Sequence, residues 1–470
     1  MEIFLAGRFI KTAKETEVIN PYTGKRVDIT YLAGEQELEE AIVKAESARN
    51  AMRKLPSYKK YEALMFIRNQ LLKRREEFGR TIMLESGKPI RYALVEVDRS
   101  IQTFTVAAEE SKRLPGEYLS LDWTSAGEGK EGVVRYFPVG IVAGIAPFNF
   151  PLNLAVHKLA PAIAAGCPII LKPATSTPLT TLLLAQIISE AGLPEGAVSI
   201  LPMDRKTGNL LVTNSRISLL SFTGSPEVGW KMKADAGTKK VVLELGGNAG
   251  VIVSETADLS LALKKCIVGG FSYSGQVCIH TQRIFVHHKL FETFSKQFAE
   301  MVAQLKSGDP AMPETEFSSM IDKDNAIRVE KWVNEALADG AGLICGGKRE
   351  GTWYAPTLLT NTNETMRVCS EEVFGPVVTL EPFNHFEAAV EFINNTRFGL
   401  QAGVFTNDIR EMDYAFAHLE VGGVIINDVP TFRVDHMPYG GVKDSGLGRE
   451  GVKYAMLDML EPRILVKARE

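Results

Sequence analysis

No two cysteines in this chain stand at Cys-x-x-Cys spacing, and the five present (Cys167, Cys266, Cys278, Cys345 and Cys369) are odd in number. Neither a disulfide framework nor a zinc site is suggested, and a reducing compartment fits best. A block of Lys and Arg is also missing, as is a basic stripe interleaved with aromatics, and the formal charge is −4. These absences argue against a general nucleic-acid or anionic-membrane binder. Gly, Pro or Lys interrupts every apolar run well short of the roughly 20 residues that a membrane span needs. Met1 to Ile10 carries Glu2 and has no basic region before a long apolar stretch, so no signal peptide is read. The expectation is a cytoplasmic protein whose partners are small molecules and its own copies, with no nucleic acid, membrane or metal.

What is present suffices for large cores: 470 residues, 45% apolar and 23% charged, give a globular chain of two or three domains. After a turn at Ile19 to Lys25, the spacing of Leu38, Ile42, Ala45 and Met52 predicts a helix over Glu35 to Leu55. Leu64, Ile67, Leu71 and Leu72 predict another over Tyr58 to Glu85, closed by Gly87-Lys88-Pro89, and Ile90 to Arg113 repeats the pattern. The first hundred residues thus read as helical wrapping. Between Leu119 and Tyr136, Ser, Gly and charge take over, which reads as a hairpin leaving the main body and suited to assembly. From Val139 onward, short apolar runs (Val139 to Ile145, Ile169 to Leu171, Val198 to Leu201, Ile217 to Phe222, Val241 to Leu245) alternate with helix patterns. That alternation predicts a doubly wound parallel sheet. It restarts after Gly250 and runs to Asn427, so the expected fold is α/β, with two doubly wound domains and a small β excursion. The tail, Lys453 to Glu470, is too short for a domain.

Such sheets bind nucleotides beyond the C-terminal ends of their strands. Two stretches match Gly-x-Gly-x-x-Gly, Gly127 to Gly132 and Gly446 to Gly451, but neither has the buried strand before it and the apolar helix after it that phosphate binding requires. Polar residues at other strand ends are better candidates. Cys278 lies in the glycine turn Tyr273 to His280, between the helix pattern Leu261 to Phe271 and the strand pattern Arg283 to Val286, where backbone N–H groups are free to act on a thiol. Asn149, held among Pro147, Phe148, Phe150 and Pro151, suits an amide donor to a developing oxyanion, a role worth roughly 3 to 4 kcal/mol. A helix cap in a rigid turn is the alternative. Glu244 closes an apolar strand, where a carboxylate is costly unless solvated or paired, and is a candidate general base. The alternative is a Glu exposed at the mouth of the sheet. Gly224-Ser225-Pro226 opens a helix whose free N–H groups suit an anion, Ser225 as a simple cap being compatible with this.

Together with Asn20-Pro21, Lys172-Pro173-Ala174, Gly275-Gln276-Val277-Cys278, Glu371 to Pro376 and Pro438-Tyr439-Gly440-Gly441 to Gly446, these motifs resemble, over nearly the whole chain and in order, the aldehyde dehydrogenase superfamily of NAD(P)-dependent enzymes. The resemblance implies that Cys278 attacks the aldehyde and that Asn149 and the Cys278 N–H hold the oxyanion. Hydride passes to nicotinamide, and Glu244 activates water to release the acid from the thioester. It also assigns Lys172 to the adenosine ribose, Gly224 and Ser225 to the pyrophosphate, and Glu372 with Phe374 to the nicotinamide side. Where NAD-preferring relatives often carry Glu, this chain has Thr175. A carboxylate there would repel a 2′-phosphate by roughly 1 to 4 kcal/mol, so NADP is expected to be accepted and preferred, with NAD possible. The alternative is that Thr175 is neutral.

By the same resemblance, residues 1–118 and 137–246 form the NAD(P)-binding domain, 247–436 the catalytic domain, and 437–452 a return crossing. The segments 119–136 and 453–470 pair subunits into a homodimer or homotetramer. Val277 and Ile279, flanking the thiol, disfavour an anion gripped right beside it, whereas Arg99, His157, His280 and Arg433 are candidates for lining the approach of a lactaldehyde-like aldehyde or a semialdehyde. Three other readings remain: acyl transfer to coenzyme A, disfavoured by Glu244; a non-catalytic structural descendant, disfavoured by Cys278, Glu244 and Asn149 together; and a cofactor-free thiol hydrolase, which would need a histidine such as His280 as the partner of Cys278.

Overall fold

The computed structural model describes residues 1–468. Its architecture is α/β, built on two sheets. The first has eight strands in the spatial order Arg8–Ile10, Ile3–Leu5, Val198–Ile200, Ile169–Lys172, Ile141–Ile145, Ile217–Thr223, Lys240–Glu244 and Gly446–Leu447. The five from Val198–Ile200 to Lys240–Glu244 are parallel. The chain enters them at Ile141–Ile145, moves outward one way to Val198–Ile200, then returns to Ile217–Thr223 on the other side. This reversal opens a crevice above Ile145 and Thr223. Both Asn149 and Ser225 lie just past those ends.

The second sheet has seven strands, in the order Gly342–Cys345, Thr357–Thr360, Val377–Phe383, Arg283–His287, Gly250–Val253, Gln401–Phe405 and Gly423–Ile426. All but Gly342–Cys345 run parallel. A third, three-stranded antiparallel sheet joins Gly116–Ser120, Lys130–Pro138 and Leu460–Ala468. The hairpin expected at Leu119 to Tyr136 is found there, and the tail strand lies along it with Pro462 opposite Tyr136. The last two residues of the segment 453–470 fall outside the described residues.

The N-terminal hundred residues are less helical than their pattern implies. Four strands, Ile3–Leu5, Arg8–Ile10, Lys14–Ile19 and Arg26–Leu32, precede the first helix, Glu35–Lys54. Three residues are too few to show a two-residue period, and Ile3–Leu5 exists because it pairs with the distant Val198–Ile200. The pattern over Tyr58 to Glu85 divides at Arg74 into Ser57–Lys73 and Arg75–Ser86, so that Leu71 and Phe78 both reach the core. Among the described residues no helix is long and apolar enough to cross a membrane.

Candidate active site

Cys278 sits in a tight turn between the helix Leu259–Phe271 and the strand Arg283–His287. Three consecutive left-handed residues lead into it: Tyr273 (φ 49°), Ser274 (φ 54°) and Gly275 (φ 68°). For the two non-glycines this conformation costs about 1 to 3 kcal/mol each and persists only where surroundings enforce it. Here the Tyr273 hydroxyl donates to Ser86 O at 3.1 Å and Ser274 Oγ to Ser318 O at 2.7 Å. A side chain on Gly275 would meet Gly375 O at 2.2 Å, so glycine is required by space as well as by conformation. Local strain, tied down on both sides, therefore aims the thiol. The sulfur is half-buried, ringed by protein but open to the cavity, and stands 3.2 Å from Tyr439 Oη. Burial pushes its pKa up to about 11; Tyr439 and Arg433 pull it back, while Glu372 and Glu244 push it further.

Asn149 is pinned at both ends. Its Nδ2 donates to Gln276 O at 3.0 Å, and its main-chain carbonyl accepts from Lys88 Nζ at 2.6 Å. One amide proton is thus spent on the turn that carries Cys278, leaving the other for a ligand. Lys88 is wholly buried and also paired to Glu96, whose other oxygen accepts the N–H groups of Leu152 and Asn153. That pair fixes the Pro147 to Pro151 corner.

Glu244 is 3% exposed, and neither carboxyl oxygen has a hydrogen-bond partner. Burial first, then the charge of Glu450, raises it well above the ordinary carboxylate range, against the pull of Arg433 and Lys158. Glu450 is also buried, yet Lys158, Arg433 and His157 outweigh its burial and hold it down at about 2. The surroundings thus push two neighbouring buried carboxyls in opposite directions. Lys158 Nζ completes the cluster by donating to Thr223 Oγ1 at 2.7 Å and Ser221 Oγ at 3.2 Å, 3.5 Å from Glu450 Oε1.

A cavity of about 640 Å³ brings Asn149, Gly224, Ser225, Glu244, Cys278, Glu372 and Phe374 together. Ser225 precedes the helix Pro226–Asp235 without making a side-chain cap, so the first N–H groups of that helix remain free toward an anion. Burial raises Glu372 to about 8 although Gly247 N–H donates to it at 3.1 Å. Phe374, at φ 47°, meets Phe148 edge-on at 5.8 Å. Cavity, free N–H groups and flanking carboxyl fit a dinucleotide. Lys172, last residue of its strand, is half-buried and Thr175 is exposed beyond it; neither lines this cavity.

Of the four substrate candidates, three gather on one network. Asp435 Oδ1 accepts from Arg99 Nη2 at 2.8 Å and pairs with His157 Nε2 at 2.8 Å. Arg433 Nη2 reaches Glu450 Oε2 at 2.8 Å and lies 3.2 Å from His157 Nε2. His280 stands apart: buried, with Nε2 donating to Gly270 O at 2.8 Å and burial lowering its pKa to about 4. That ring is neither at the approach nor against the thiol, which removes the histidine that a cofactor-free hydrolase would need. Sequence reasoning gave no role to Lys158, Tyr439 or Glu450. The first had a signal, a lysine beside His157 in the otherwise apolar helix Asn153–Ala165, which is buried along its whole length.

A family model described as Aldehyde dehydrogenase family matches residues 9–465. The 3-sulfolactaldehyde dehydrogenase of Priestia aryabhattai is 42% identical over 466 residues, 99% of this chain and 97% of its own. Aldehyde dehydrogenase 21 from Physcomitrella patens, solved with the reaction product succinate, is 45% identical with a TM-score of 0.98, covering 100% of this chain and 98% of that one. Glyceraldehyde-3-phosphate dehydrogenase from Methanocaldococcus jannaschii DSM 2661, solved with NADP, is 39% identical with a TM-score of 0.93, covering 97% and 100%.

Proposed function

The chain belongs to the aldehyde dehydrogenase family and is an NAD(P)-dependent oxidoreductase of small aldehydes, and from that premise we propose that Cys278 is its nucleophile, Asn149 its oxyanion donor and Glu244 its general base. The observation that carries this reading is the convergence of all three on one cavity with Ser225 and Glu372. Cys278 adds to the aldehyde carbon, and the oxygen takes the carbonyl pair against the free Asn149 amide proton and the Cys278 N–H. When bound, NAD(P)+ would accept the hydride that leaves the aldehyde carbon and so leave a thioester on Cys278; Gly224, Ser225, Glu372 and Phe374 would hold it, with Lys172 and Thr175 at the adenosine ribose. Glu244 then takes a proton from water as the water oxygen attacks the thioester carbon, the C–S bond breaks, and the acid leaves with the Cys278 sulfur regenerated. A carboxyl in this position supports hydrolysis over transfer to coenzyme A.

Residues 1–118 and 137–246 hold the cofactor in this reading, 247–436 carry the thiol, and 437–452 cross back. Supporting the last, Gly446–Leu447 adds a strand beside Glu244. The segments 119–136 and 453–470 pair subunits. The strand Leu460–Ala468 has a partner on one side only, and its Ile464, Leu465 and Val466 are about half exposed. Light scattering is expected to give two or four times the 51.7 kDa chain mass; a monomer at micromolar concentration would sink this.

The substrate is an aldehyde bearing an anionic group. Arg99, its side chain 24% exposed, heads a network that reaches the thiol through Arg433 and Tyr439, and Nε of both Arg99 and Arg433 lacks a partner. The named relatives act on, or were solved with, a sulfonated, carboxylated or phosphorylated small compound. The second reading, a neutral lactaldehyde-like substrate, rests on the apolar Val277 and Ile279. NADP is the preferred cofactor, in the cytoplasm: Thr175 presents no carboxylate, and Asp204, which faces Lys172, is already engaged by Lys14 and by its own helix N-terminus. An aldehyde panel with both cofactors tests all of this. Arg99→Leu is expected to raise KM about ten- to a hundredfold for anionic aldehydes, as loss of a charge-assisted hydrogen bond would, and to leave neutral ones nearly unchanged. A uniform loss across the panel, or a large NAD preference, would overturn the corresponding assignment.

A further inference from the structure

We propose that the Tyr439 hydroxyl donates a hydrogen bond to the Cys278 thiolate and thereby sets the pH at which the nucleophile becomes reactive, which makes Tyr439 a catalytic residue of the attack step. The inference rests on the reading of Cys278 as the nucleophile. A buried tyrosine hydroxyl ordinarily finds a polar partner, and here the partner is the sulfur, at 3.2 Å. Tyr439 is 3% exposed and held on all sides. Its N–H donates to Glu450 O at 3.0 Å, and its carbonyl accepts from Glu450 N at 2.6 Å. The Arg433 guanidinium lies 3.7 Å from its ring centroid. A cation on the ring face draws electron density from the phenol and strengthens the O–H as a donor. The same stacking keeps the hydroxyl from swinging away.

Among the described residues no imidazole is hydrogen-bonded to the sulfur. The His280 ring is bound to Gly270 O and the His157 ring to Asp435. The charged and titratable groups facing the sulfur are Tyr439, Glu372, Arg433 and Glu244. The two carboxyls oppose thiolate formation and Arg433 acts across the tyrosine ring, which leaves the phenol as the donor in contact with sulfur. Its own ionisation lies well above the ordinary phenol value, first because it is buried and then because Cys278 is beside it. Tyr439 therefore remains a donor throughout the working range.

In the attack a sulfur electron pair forms the C–S bond, the carbonyl π pair moves to oxygen, and the phenol keeps its proton. As charge leaves sulfur the hydrogen bond weakens. Tyr439 thus raises the population of thiolate while tempering its intrinsic nucleophilicity, which falls with thiol pKa by a Brønsted coefficient of about 0.4 to 0.5. This gives a signature that lost packing would not produce: two pH profiles that cross.

The experiment is alkylation by iodoacetamide of the cofactor-free enzyme across pH, followed as the Cys278 adduct by mass. For Tyr439→Phe the midpoint is expected to rise by about 1 to 2 pH units, the span of a hydrogen bond to a charged group. The neutral-pH rate should fall about three- to tenfold while the alkaline plateau rises by a similar factor. Unaltered NADP binding would certify that the variant is folded. An unchanged midpoint, or a rate lowered equally at every pH, would overturn the proposal. Cys278→Ala separates the two layers. If that variant still turns over, the nucleophile assignment fails; if it is inert and Tyr439→Phe is unshifted, only the hydrogen-bond role falls.

Discussion

Cys278→Ala is expected to abolish both the first-turnover burst of reduced cofactor and steady turnover, by a factor on the order of 10⁶, the scale seen when a covalent nucleophile is removed. No other thiol can substitute. Cys167 and Cys266 are wholly buried in apolar packing away from the cavity. Cys345 and Cys369 do not line the cavity. Since the Ser225 helix and Glu372 are untouched, cofactor affinity should be retained. Rapid-mixing absorbance on the folded variant checks this, and any burst from it would remove Cys278 from the mechanism.

Glu244→Gln should behave in the opposite sense. The burst of one reduced cofactor per site persists, because acylation and hydride transfer do not need the base, while steady turnover drops by roughly 10² to 10⁴, the usual contribution of a positioned base. Wild-type turnover should climb with pH as the raised carboxyl of Glu244 loses its proton, and that limb should vanish in the variant. Stability follows with a definite sign. A group whose folded pKa lies above its ordinary value of 4.5 gives its full contribution below that pH and loses it as pH rises toward the folded pKa. Gln mimics the protonated acid at every pH. The melting temperature of Glu244→Gln should therefore match wild type in acid and exceed it in alkali. Loss of the burst together with turnover would count against the assignment.

Much of this site was legible because its residues interrupt strong local patterns. Cys278 stands in a glycine turn, Glu244 ends an apolar strand and Asn149 is locked between prolines, so each is conspicuous without knowledge of its neighbours. Tyr439, Glu450 and Lys158 were not legible in this way. Glu450 belongs to the glycine-rich stretch Gly446 to Gly451, which has no local reason to be chemical; it comes near Glu244 because the strand Gly446–Leu447 pairs beside that residue. Tyr439 stands in the sequence only within the motif Pro438 to Gly441, with no role of its own until the fold sets its hydroxyl against the sulfur. The reverse failure is His280, two residues from the thiol, whose ring the turn directs to the helix behind it.

Periodicity and strand-end chemistry, which depend on adjacent residues, were enough by themselves for the α/β class and the parallel strands, and they marked Cys278, Glu244 and Asn149 as candidates. Tertiary structure alone decided which charges meet. The opposite ionisation of Glu244 and Glu450, the placement of Arg99 and Arg433 and the Tyr439 contact depend on distances across the fold and on shared exclusion of water. Coulomb and desolvation energies follow spatial separation and burial, and position along the chain encodes neither.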